Sequence, residues 1–120
     1  MFNIWISHGI FYGFSDESII HFMRRKWDKT YHAPQAPDNG KLVGTGLVLC
    51  PIEAELSEEV IIAGIKSRRI VPDEFPNGKC TKYTLDQKLE FMNHPLFLVR
   101  YKKIIEILKT QYGLPEGIAK

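Results

Sequence analysis

The clearest periodicity in the chain lies between Pro95 and Gly113. Phe97, Tyr101, Ile104, Ile105, Leu108 and Tyr112 recur at steps of three and four, the spacing that lines side chains along one side of a helix. Arg100, Lys102, Lys103, Glu106 and Lys109 lie mostly off that stripe, so the segment reads as an amphipathic helix and as the main packing surface of the core. Pro95 suits a first helical turn, and Gly113 can adopt the left-handed conformation that closes a helix and folds Leu114 back on Leu108.

The start of the chain has a different rhythm. Phe2, Ile4 and Ile6 alternate with Asn3, Trp5 and Ser7, which predicts a strand. His8-Gly9 would turn it into a hairpin with a second arm from Ile10 to Phe14, or the run would form one long bent strand. Ser15 followed by Asp16 and Glu17 is a helix-start signal, and a helix is expected from Asp16 to about Lys29. Ile19, Ile20, Met23 and Trp27 form its inward stripe, while His21, Arg24, Arg25, Asp28 and Lys29 are expected on its polar side.

Residues 31–40, YHAPQAPDNG, have no apolar period and two prolines, so they read as a loop or exposed arm, longer than the usual connection of ~4 to 6 residues. Leu42 to Cys50 reads as a strand buried on both faces, ended by Pro51. Ser57-Glu58-Glu59 starts a further helix to about Ser67, burying Val60, Ile61 and Ile65, with Leu56 stapled against Ile61. Residues 70–83 suggest an edge hairpin around Asn77-Gly78. Thr84 to Gln87 then forms a capping box for a short helix carrying Leu85, Leu89 and Met92 inward.

Together these elements predict a single α+β domain over residues 1–120. It would hold a small, mainly antiparallel sheet of about three to five strands, with about four helices packed chiefly on one face. Composition fits a globular domain at 44% hydrophobic and 25% charged residues, and 120 residues suffice for one core without disulfides or metal. No stretch approaches the roughly 18 apolar residues that cross a membrane, and the N-terminus has no signal-peptide pattern, so a cytoplasmic location is expected.

Charge changes the picture more than composition does. The net charge is only +2, too small for a strongly basic nucleic-acid module, yet residues 1–60 carry −3 and residues 61–120 carry +5. The cations cluster at Arg24, Arg25, Lys26 and Lys29, at Lys66, Arg68 and Arg69, and at Arg100, Lys102 and Lys103. If two clusters share a face, that face suits a phosphate backbone or an acidic protein.

Specific chemistry is weakly marked. His8, His21, His32, His94, Cys50 and Cys80 lack the close spacing of zinc ligands, so no metal or other cofactor is expected. Gly44-Thr45-Gly46 lacks the lysine and further glycine of a phosphate loop, and Cys50 reads as a small core hydrophobe. With no catalytic residue assigned, the reading is a non-enzymatic binding protein, an inhibitor, adaptor or accessory subunit, that contacts another protein or itself. The first alternative is binding of nucleic acid, a nucleotide or another anionic ligand; the second is a small enzyme using His or Cys. The candidate contact residues are Arg24, Arg25, Lys66, Arg68, Arg69, Arg100, Lys103 and Trp5, the last stacking on bases if the sheet face is open.

Overall fold

The computed structural model describes residues 2–28, 31, 50–72 and 82–114, with helices in chain order α1 (Ile4–Phe11), α2 (Asp16–Trp27), α3 (Pro51–Ala54), α4 (Glu58–Arg68), α5 (Leu85–Met92) and α6 (Pro95–Tyr112). There is no strand among the described residues. The expected α+β fold with an antiparallel sheet is therefore replaced by an all-helical arrangement. The expected strand at 42–50 falls outside the described residues except for Cys50, which stands at the N-cap position of α3, and residues 73–81 of the 70–83 hairpin also lie outside them.

The N-terminal hairpin is the decisive correction. Asn3 accepts hydrogen bonds through its side-chain oxygen from the N–H groups of Trp5 at 3.0 Å and Ile6 at 3.1 Å, which starts a helix rather than a strand. The side chains that α1 buries are Ile6, Ser7, Ile10 and Phe11, a helical spacing that the nearly continuous apolar run also permits. Gly9 belongs to this helix, and a side chain there would lie 2.7 Å from Ile19 Cγ1 of α2. The glycine thus serves a close helix crossing, not a turn. The turn comes at Gly13, whose φ is +84°.

The other helix starts follow the sequence. Ser15 accepts from the Ser18 N–H at 3.1 Å and Ser57 from the Val60 N–H at 3.3 Å, while Thr84 and Gln87 complete their capping box with bonds of 3.2 and 2.8 Å. At the far end of α6, Gly113 adopts φ +66° and the Leu114 N–H donates to the Leu108 carbonyl at 3.0 Å, leaving Leu114 buried.

The core lies where α6 packs on α1 and α2. Phe97, Ile104 and Leu108 are fully buried against Ile6, Ile10, Phe11, Ile19 and Met23. Each such side chain contributes roughly 1.5 to 3 kcal/mol of transfer free energy, so α6 is the main packing surface, as its stripe predicts. Phe11 connects α1 to both later helices, with ring centroids 5.4 Å from Phe97 and 5.6 Å from Phe91. The inward residues of α5 are Phe91 and Met92, whereas Leu85 and Leu89 stay exposed, as does Val60 on α4.

Candidate functional site

Arg68 ends α4 and Arg100 lies one turn into α6, and the fold brings both to the link between α1 and α2. Arg68 Nε donates to the Gly13 carbonyl at 2.9 Å, and Arg100 donates to the next carbonyl, that of Phe14, at 2.5 Å. Asp16 receives Arg100 at 2.8 Å through one carboxylate oxygen and Lys103 at 3.3 Å through the other. Two of the three basic clusters therefore do converge. They converge on the chain's own acids and carbonyls rather than around an open anion site.

Glu53 on α3 completes this junction. The residue is buried, and its carboxylate accepts from the hydroxyls of Ser15 and Ser18 and lies 3.6 Å from Arg68. Ser18 Oγ also accepts from the Cys50 N–H at 3.0 Å, so the carboxylate and hydroxyls fasten the start of α3 to the start of α2. Burial pushes the Arg68 guanidinium below its ordinary pKa; Glu53 opposes that shift and Arg100 adds to it. Arg69 is half-buried and closes α4 by donating its N–H to the Ile65 carbonyl at 2.9 Å. Lys66 and Arg25 are exposed, on α4 and α2 respectively.

Arg24 does not face open water as expected. Its guanidinium carbon lies 3.6 Å from the ring centroid of Tyr31 and 4.0 Å from that of Tyr112, a cation held between two aromatic faces. His21 is likewise buried instead of lying on a polar face, with Nδ1 3.1 Å from the Tyr31 hydroxyl. Burial, reinforced by Arg25 and Arg24, lowers its pKa.

Trp5 lies on α1 rather than on a sheet face and is exposed, with Phe22 edge-on at 6.4 Å and the Lys26 ammonium 5.7 Å from its ring. A second exposed apolar feature lies nearby. Phe2, Leu98, Tyr101 and Ile105 line an open groove of about 370 Å³ along α6, with Lys102, Glu106 and Lys109 at its rim. Phe2 forms the α1 side through edge contacts with Phe97 and Tyr101 at 5.3 and 4.7 Å, and the Tyr101 hydroxyl accepts from the Asn3 N–H at 2.6 Å. The groove was not among the sequence candidates. Its signal is a second seam beside the buried stripe, Leu98, Lys102, Ile105 and Lys109, spaced four, three and four.

Among the described residues no group of three or more His, Cys, Asp or Glu side chains is placed to hold a metal ion, and no helix is long and apolar enough to cross a membrane. No protein-family model, curated protein or solved structure matches the chain.

Proposed function

We propose that this chain is a non-enzymatic binding protein, an inhibitor, adaptor or accessory subunit, that works through protein contact at the α6 groove. The observation that carries this reading is the groove itself: Phe2 and Leu98 remain 39% and 41% exposed beside the half-buried Ile105, on a helix whose Phe97, Ile104 and Leu108 are buried in the core. Neighbouring apolar side chains left in contact with water on a folded surface gain free energy when a partner covers them. The arginines that would grip phosphate, Arg24, Arg68 and Arg100, make their closest contacts inside the chain, which favours protein over nucleic acid as the partner class.

The test compares wild type with Leu98→Glu, which puts a charge on the groove wall without touching the buried stripe. Tagged protein purified from its native cells should retain a partner, or a second copy of itself, that the variant loses, while the thermal unfolding midpoints of the two agree within a few degrees. Monomeric wild type that retains nothing beyond what Leu98→Glu retains would overturn the reading.

A further inference from the structure

We infer that the occupant of the groove is α6 of a second copy of this chain, packed antiparallel about a two-fold axis. This inference rests on the binding reading above and deepens it.

The groove has a self-complementary pattern. Leu98, Lys102, Ile105 and Lys109 form a seam with coiled-coil spacing, and in an antiparallel pair the seam sets Leu98 against Lys109 of the other copy and Lys102 against Ile105. The lysine stems then cover apolar surface while their ammonium groups reach the rim. Glu106 lies on the same flank as the Lys102 head, so the two-fold axis places Lys102 of each copy beside Glu106 of the other. One register thereby buries the apolar side chains and makes the same ion pair twice.

The rim charges are available for that role. Asp16 holds Arg100 and Lys103, and Glu53 lies beside Arg68, whereas Lys102, Glu106 and Lys109 form no ion pair among the described residues. Phe2 extends the apolar wall beyond α6. The surface is nevertheless small. An 18-residue helix is about 27 Å long, and a strip of that length with the Phe2 wall falls short of the roughly 800 Å² per partner of a standard stable interface. The dimer is therefore expected to exchange, dissociating reversibly on dilution.

Charge reversal tests both partner and register. Sedimentation equilibrium of the full chain, from about 5 to about 500 μM, should show a reversible monomer–dimer equilibrium for wild type. Lys102→Glu and Glu106→Lys should each weaken it at least about tenfold, because each places like charges together twice across the axis. An equimolar mixture of the two variants should regain dimer, since both contacts become opposite-charge pairs in the mixed species. Circular dichroism should show both variants folded, as both positions are exposed. Wild type monomeric throughout, single variants that dimerise like wild type, or a mixture no more dimeric than its components would each overturn the inference. If wild type is monomeric yet retains a different protein in a Leu98-dependent way, self-pairing falls and the binding reading stands; if it retains nothing either, both fall.

Discussion

Gly13 shows how one residue fixes the junction on which α1, α2 and α4 meet. Its φ of +84° lies where side-chain-bearing residues are strained, and a Cβ there would collide with the Ile65 carbonyl and lie 2.8 Å from the Arg69 nitrogen. Both obstacles are backbone, so neither yields by a rotamer change. Gly13→Ala is expected to cost about 3 kcal/mol or more, read as a lower urea midpoint. Gly9→Ala is milder, since the atom in the way belongs to the Ile19 side chain and alanine favours helix by up to ~1 kcal/mol; a net loss of about 1 to 2 kcal/mol is expected. A Gly9→Ala protein as stable as wild type would show that α1 and α2 cross less tightly than described.

Between elements, the clearest contrast is between two cations that share one carboxylate. Arg100 bonds Asp16 and the Phe14 carbonyl with its side chain 13% exposed, whereas Lys103 reaches the same Asp16 with its side chain 64% exposed. Removing Arg100 takes the closest donors from a mostly buried carboxylate and one from the Phe14 carbonyl; removing Lys103 takes away only a longer contact from a largely exposed side chain. Arg100→Ala should therefore destabilise by about 2 to 3 kcal/mol, against no more than about 0.5 kcal/mol for Lys103→Ala. Equal losses in chemical denaturation would mean that α6 is not tied to the start of α2 through this contact. The caps at Ser15, Ser57, Thr84 and Gly113 were legible from sequence because a cap is a contact within a few residues. The α1 helix was not, because its apolar run fits a period of two and of 3.6 equally, and Gly9 reads as a turn until Ile19 is seen against it.

Over the whole molecule, stability should depend on pH through two histidines, the buried His21 and the half-buried His8. His21 and His8 both have pKa values lowered by burial from an ordinary 6.5, His8 with help from Lys88. The folded state then holds them neutral while the unfolded state takes up protons below about 6.5. Their contribution is thus fully present above that pH and is lost as the pH falls toward their lower folded values. The denaturation midpoint should drop between pH 7 and pH 5, and His21→Asn should show a shallower drop than wild type. Matching slopes would place the sensitivity elsewhere. Sequence alone determined that α2, α4, α5 and α6 are helices, close to where they begin and end, and which stripe of α6 enters the core, because these follow from local periodicity and caps. It also displayed every cation in the three basic clusters. Only the tertiary structure decided that α1 is a helix, that Arg100 meets an aspartate 84 positions away, and that Arg24 lies between two tyrosine rings. Those outcomes depend on what stands opposite each side chain, and a partner distant in sequence leaves no period to read.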